Sequence, residues 1–475
     1  MRKSPVILTF LCLLLWQCFL PVGFAASEVI WTVTTEAEPW RSGGSLPIIK
    51  AKGKDFTIEI DKKTVYQEID GFGGAFNEKG WEALSILTPE QREEALKALF
   101  DPQEGAKLNI CRVPIGASDY AIDRYTLNET KDDFEMKDFS IQRDQGCLIP
   151  YIKAAMQYRP DLKIWGSVWT PPTWMKTNGE YDGGYMKGDP QIYQAFALYL
   201  ARFLEAYQKE GIDAYAVAVQ NEPTIETNYP SCLWTEYQFL AFIKDHIGPL
   251  FQERGVKGEI WLGTMQDADY TKYPKTVLSD AEANKYITTV GFQWDGLHSV
   301  AWTRKNYPEK KLMQTETECG NWYWKARFDP NKPQNDWNYG VYTWKKVKDY
   351  FEQGVNSYML WNMVLDEEGK SIDSRRPWPQ NAPLVVDRKT KSLIYTPMYY
   401  AFKHFSFFVK PGARLISVKP YGAWSDAIAF QNPDGGIALV MQNATESEKE
   451  VKIKLEKQAV TITLPPQSWS TLVLP

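Results

Sequence analysis

The chain has 475 residues, 44% of them hydrophobic, and a formal net charge of -5 at pH 7, which is enough apolar sequence for one large domain and a smaller companion. Its basic and acidic residues are interspersed and give no electrostatic footprint for nucleic acid. With 3 histidines, no His-Glu-x-x-His pair and no Gly-x-Ser-x-Gly elbow, metal hydrolysis and serine triads lose their usual residues, and carboxylates are left as the catalytic groups.

Met1-Arg2-Lys3, the apolar run from Val6 to Leu20, and the small residues Gly23, Ala25 and Ala26 read as a signal peptide over residues 1–25. The mature protein is therefore expected to be secreted or periplasmic. Cys18 ends the apolar run, but Trp16 and Gln17 are bulky where a lipobox takes small residues, so a lipid-anchored, cell-surface form is the lesser reading. No later run is long enough to span a membrane. Loss of the leader leaves Cys111, Cys147, Cys232 and Cys319, which permit three connectivities and show no zinc spacing; they read as buried or incidentally paired thiols. Residues 26–68 are strand-like, with Phe56, Ile58 and Ile60 alternating. They are too short for a domain and are expected to complete a sheet formed by the C-terminus.

From 69 to 408, short apolar runs alternate with longer amphipathic ones. The strand-like runs centre on Gly71-Phe72-Gly73, Leu108 to Pro114, Ile164 to Trp169, Tyr215 to Val219, Ile260 to Gly263, Thr288 to Trp294, Leu312 to Thr315 and Tyr358 to Met363. That is the number an α/β fold of (β/α)8 TIM-barrel type needs. Thr88-Pro89-Glu90-Gln91 is a capping box, and Ile192 to Tyr207 and Thr235 to Phe251 carry the spacing of helices packed on a sheet. On this count Glu222 ends the fourth strand and Glu316 ends the seventh, the positions where barrel enzymes carry catalytic groups. Residues 409–475 read as a β-sandwich, with alternation at Val451, Ile453 and Leu455 and at Val460, Ile462 and Leu464.

Two carboxylates from different strands point to a glycosidase pair. The 19 tryptophans and 26 tyrosines supply rings that stack on sugars or fill a core. Residue type alone leaves Glu222 open to being a helix cap and Arg112 with Asp119 open to being an ion pair at a strand end. Glu318 rivals Glu316, because residues two apart on a strand share a face.

Five motifs in order resemble glycoside hydrolase family 30, which contains glucosylceramidases, β-1,6-glucanases and certain xylanases. They are Ile69-Asp70-Gly71-Phe72-Gly73-Gly74-Ala75-Phe76, Arg112-Val113-Pro114-Ile115-Gly116, Trp169-Thr170-Pro171-Pro172-Thr173-Trp174-Met175-Lys176, Gln220-Asn221-Glu222-Pro223 and Thr315-Glu316. The resemblance implies a barrel with a side β-sandwich built from both termini, and a retaining mechanism without metal or cofactor. It implies Glu222 as acid/base and Glu316, rather than Glu318, as nucleophile. It also implies Asn221 on the sugar 2-hydroxyl, Arg112 and Asp119 at the first subsite, and Trp169 and Trp378 as aromatic walls, with Trp174 and Trp361 equally open to packing.

One departure stands out: many members carry His-x-Tyr after the sixth strand, where this chain has Gln293-Trp294-Asp295. Trp294 is the candidate replacement for the missing ring. The loops around Tyr229 to Trp234, Gln293-Trp294 and Pro377 to Ala382 are similar to the β-1,6-glucanase branch. The expectation is a monomeric endo-β-1,6-glucanase acting on pustulan-type β-glucan, a neutral oligo- or polysaccharide. An exo-acting β-glucosidase or glucosylceramidase, a xylan-active enzyme and a non-catalytic surface glycan-binding protein are the alternatives.

Overall fold

The structure is a computed structural model that describes residues 28–316, 321, 326, 328–329 and 331–475. The leader at residues 1–25, Glu318 and Cys319 lie outside the described residues. The first strands are β1 (Glu28–Thr34), β2 (Arg41–Pro47), β3 (Ile49–Lys50) and β4 (Ile58–Glu68). Eight more close into a parallel barrel: β5 (Gly71–Ala75), β6 (Ile110–Pro114), β7 (Lys163–Ser167), β8 (Ala214–Ala218), β9 (Glu259–Met265), β10 (Ile287–Gln293), β11 (Lys311–Glu316) and β12 (Ser357–Asn362). Both faces of such strands are covered, so they appear in sequence as apolar runs rather than alternations. All eight expected runs are barrel strands.

A small sheet of β13 (Val364–Asp366), β14 (Leu384–Asp387) and β15 (Ser392–Tyr395) flanks the barrel. The remaining strands are β16 (Arg414–Pro420), β17 (Ala427–Gln431), β18 (Ile437–Asn443), β19 (Lys449–Leu455), β20 (Gln458–Leu464) and β21 (Ser468–Leu474). They join the first four in the order β2-β1-β21-β18-β17-β16-β4-β19-β20-β3. Both termini thus build one sandwich-type unit, and Ile58, Ile60, Val451, Ile453, Val460 and Ile462 fill its core. The alternation in β4 and β19 is what one buried and one wet face require.

Helices start where the sequence places them. Thr88 and Gln91 cap each other reciprocally, and Asp189 caps Pro190–Lys209 through the backbone N–H groups of Gln191 and Ile192. The run read as one helix from Thr235 to Phe251 contains a wider turn: Glu236–Ala241 and Gly248–Arg254 are α-helical, while Phe242–Ile247 is π-helical. Pro249 has no N–H to return to the preceding turn, and the widened segment lies against it. No helix among the described residues is long and apolar enough to cross a membrane.

Side-chain size stacks the barrel interior in layers. Ala216 and Ala218 on β8 make room for Trp165 on β7 and Trp261 on β9, whose rings meet at 4.6 Å, with Ile110, Met313 and Met359 beside them. Two residues beyond Ile110 on β6, the same alternation turns Arg112 inward above that floor, its guanidinium 5.2 Å from the Trp165 ring. His404 is buried where barrel meets sandwich, bonded to Thr471 Oγ1 at 2.8 Å and Thr34 Oγ1 at 3.0 Å. Burial pushes its imidazole down to about 3, so it joins the two units as a neutral ring.

Closure also demands close backbone approach. A Cβ on Gly73 would sit 1.5 Å from the carbonyl oxygen of Ile110. Gly73→Ala is expected to force β5 from β6 and cost upwards of ~3 kcal/mol in urea unfolding, or to leave the protein insoluble. A wild-type unfolding midpoint would contradict this packing.

Candidate active site

Arg112 is fully buried on β6. Its Nη1 donates to Glu316 Oε2 at 2.9 Å, and its Nη2 donates to Ser167 Oγ at 3.0 Å and to Asn221 Oδ1 at 2.7 Å. The Trp169 and Trp361 rings face the guanidinium at 4.2 and 5.3 Å. A buried cation needs such partners because desolvation alone is worth several kcal/mol. Arg112 therefore ties β6 to β7, to the loop after β8 and to β11. Its ionic partner is Glu316, not Asp119.

The segment after β8 is fixed locally. Gln220 is buried; its Nε2 donates to the carbonyls of Trp169 and Asn221, and its Oε1 accepts from Trp234 Nε1. Asn221 Oδ1 accepts from Arg112, from Thr264 Oγ1 at 2.7 Å and from Gln293 Nε2 at 3.2 Å. With its oxygen so engaged, Asn221 has its amino group to offer a ligand. Pro223 disfavours right-handed helical geometry for the residue before it, and Glu222 takes a left-handed φ of 45°. Trp294, after β10, has a φ of 52°. Such backbone costs on the order of 1–3 kcal/mol and persists where surrounding contacts enforce it.

The two glutamates come together. Gln293 Nε2 lies 3.0 Å from Glu222 Oε1 and 3.3 Å from Glu316 Oε2, so one nitrogen spans both carboxyl groups. They are 8% and 5% exposed, and burial pushes both above the ordinary glutamate value. Arg112 pulls Glu316 back toward its anion through a direct charge-assisted bond. Among the described residues Glu222 has no such bond to a cation; its anion is favoured by the amide of Gln293, by Arg112 through space, by the indole of Trp294 and by the phenol of Tyr229.

A cavity of about 390 Å³ opens above the pair, lined among others by Asp119, Tyr229, Trp294, Trp361, Asp373 and Trp378. Asp119 accepts from Trp361 Nε1 at 3.3 Å, while its Oδ1 is buried with no hydrogen-bond partner among the described residues. Burial and then Glu222 push its carboxyl up to about 7. Trp378 packs edge-on against Tyr229 at 5.1 Å. Trp169, expected as a wall, is 1% exposed and stacks on Trp361 at 5.1 Å, both rings lying against Arg112. Trp361, left open to packing, lines the cavity; Trp174 packs on Phe134.

Gln293 and Tyr229 are absent from the candidate site residues read in the sequence. The only sequence signal for Gln293 is its departure from the family's histidine. Cys111, Cys147 and Cys232 are free thiols, and no group of His, Cys, Asp and Glu among the described residues could hold a metal ion.

Residues 69–409 match the glycosyl hydrolase family 30 TIM-barrel domain, and residues 412–472 match the glycosyl hydrolase family 30 beta sandwich domain. Putative glucosylceramidase 1 of Caenorhabditis elegans is 30% identical over 405 residues, spanning 81% of this chain and 76% of that protein. Endo-1,6-beta-D-glucanase neg1 of Aspergillus fumigatus is 28% identical over 451 residues, spanning 88% and 87%. The crystal structure of SrfJ from Salmonella typhimurium superposes with a TM-score of 0.85 at 25% identity, covering 94% of this chain and 99% of that one.

The ion pair sets a stability test. Arg112→Met leaves the Glu316 carboxylate buried without its cation and is expected to lower the free energy of urea unfolding at pH 7 by ~3–5 kcal/mol. The deficit is expected to narrow at pH 5, because a protonated Glu316 needs no counter-charge. An equal deficit at both pH values would contradict the pairing.

Proposed function

The chain belongs to glycoside hydrolase family 30, and we propose that it is an exported, monomeric, retaining endo-β-1,6-glucanase of pustulan-type β-glucan. The observation that supports retention is the single Gln293 nitrogen within hydrogen-bond reach of both carboxyl groups. A nitrogen shared in this way keeps the two carboxyl oxygens within about 6.3 Å of each other, which favours the ~5 Å spacing of double displacement over the ~6.5–9.5 Å of inverting enzymes.

In the first step a Glu316 oxygen attacks the anomeric carbon as the bond to the leaving glycosidic oxygen breaks, and Glu222 gives that oxygen its proton. In the second, Glu222 takes a proton from water, the water oxygen attacks the anomeric carbon, and the Glu316 ester bond breaks. The amino group of Asn221 meets the sugar 2-hydroxyl, a contact that strengthens as charge develops. Asp119 Oδ1 accepts from a hydroxyl of the same sugar, with Trp361 and Trp378 against its apolar face.

The linkage is supported by the A. fumigatus relative, named an endo-1,6-β-D-glucanase, which aligns along 88% of this chain and 87% of its own length. Likeness to a nematode protein named a glucosylceramidase favours a second reading, exo-acting removal of glucose, with the same two glutamates. The signal-peptide pattern supports export.

Time-resolved products from linear β-1,6-glucan decide between the readings, with β-1,3-glucan, xylan and glucosylceramide as controls. Early β-1,6-linked oligosaccharides are expected, with the β-anomer formed first by NMR. Glu222→Ala and Glu316→Ala are each expected to lower kcat/KM on the polymer by more than ~10³-fold. Glucose alone, or cleavage of glucosylceramide alone, would support the exo reading; the α-anomer first would overturn retention.

A further inference from the structure

The Gln293 side chain is completely buried at the end of β10. Its Nε2 has two hydrogens and three acceptors within 3.3 Å: Asn221 Oδ1, Glu222 Oε1 and Glu316 Oε2. Asn221 Oδ1 already receives Arg112 and Thr264, so the two N–H bonds fall to the two carboxyl groups, one each. The amide cannot be reversed without turning its oxygen onto both carboxylates, and Thr315 Oγ1, 2.8 Å from Gln293 Oε1, donates on the other side. Thr315 and Glu316 are neighbours on β11, so one strand supplies both the group that orients Gln293 and one of the groups that Gln293 orients.

We propose that Gln293 is a positioning residue: it holds the acid/base and the nucleophile at a fixed separation and, having no titration of its own, leaves the pH range of the site to the carboxyl pair. This rests on the roles given above to Glu222 and Glu316. A neutral donor shared by both suits a mechanism in which charge alternates between them, because it bonds whichever is ionised and loses no proton to either. A histidine at this point would become a second cation below its own pKa and compete with Arg112 for Glu316.

Among the described residues, the charged and titratable groups facing the pair or lining its cavity are Arg112 from β6, Asp119 from the loop after β6, Glu226 and Tyr229 from the loop after β8, Asp295 after β10 and Asp373 from the loop after β12. Among the described residues, Gln293 alone bonds both carboxyls without carrying charge. The hydrogen bond from Gln293 pulls the Glu222 carboxyl down against the effect of burial, so its loss moves the titration upward.

The test is Gln293→Met, similar in volume but without the donor, with Gln293→Asn, which keeps the amide one methylene short, as the second variant. Protein labelled with ¹³C at glutamate Cδ, assigned through Glu222→Gln and Glu316→Gln, reports both carboxyl midpoints by NMR without turnover. Both are expected to rise by about half a unit or more in Gln293→Met and in Gln293→Asn. On the glycan that wild type cleaves, kcat is expected to fall by at least ~10-fold with KM within ~3-fold. Gln293→His is expected to recover part of kcat and to add an ionisation near pH ~6.5.

Unmoved carboxyl midpoints in the folded variants, or a loss of thermal stability with the wild-type pH profile retained, would overturn the proposal. Wild-type protein that turns over none of the glycans would instead sink the functional reading, while the NMR midpoints would still decide the role of Gln293.

Discussion

A single buried guanidinium organises the open end of this barrel. Arg112 sits where water cannot solvate it, and the neighbouring structure supplies what water would have: the Glu316 carboxylate at 2.9 Å, Asn221 at 2.7 Å, Ser167 at 3.0 Å and three tryptophan faces. The three hydrogen-bond partners lie on three different barrel segments, so satisfying one charge fixes their position relative to β6. The aromatic floor of Trp165 and Trp261, made possible by alanines on β8, sets the height at which the charge rests. Removing Arg112 would leave the buried Glu316 carboxyl without its cation and Asn221 and Ser167 without that donor, which is why the site and the fold share the same contacts.

That charge also gives two chemically identical side chains different surroundings. Glu222 and Glu316 are both buried, and both titrate upward for that reason. The difference between them is bonding. Glu316 meets a permanent cation, while Glu222 meets neutral donors and has a left-handed backbone. Asp119, held by the Trp361 indole and pushed up to about 7, is a third carboxyl in the same cavity. A neutral glycan, rich in hydroxyl groups, matches this set of acceptors and rings without introducing another charge.

The barrel was legible in the sequence because each strand is covered on both faces and appears as an apolar run. The sandwich was legible because β4, β19 and β20 alternate. The capping box at Thr88 was equally plain, being a short-range contact between residues three apart. The π-helical turn before Pro249 was not, since amphipathic spacing is the same on either side of it. In the site, Arg112, Asn221 and the two glutamates stand out by residue type. Which tryptophan faces the cavity depends on packing between β7 and β12, so Trp169 and Trp361 could not be ordered by period or spacing. Gln293 carries no charge and no metal-ligand pattern, and its importance comes from three acceptors contributed by two other segments.

The division of roles is tested most directly by trapping the covalent intermediate. An activated 2-deoxy-2-fluoro-β-glucoside slows breakdown of the glycosyl-enzyme more than its formation, and peptide mass spectrometry then locates the ester. The account requires the label on Glu316, the carboxyl group that Arg112 binds, and no labelling in Glu316→Gln. A label on Glu222 or Glu318 would contradict it, because the nucleophile would then be a carboxylate other than the one that Arg112 binds.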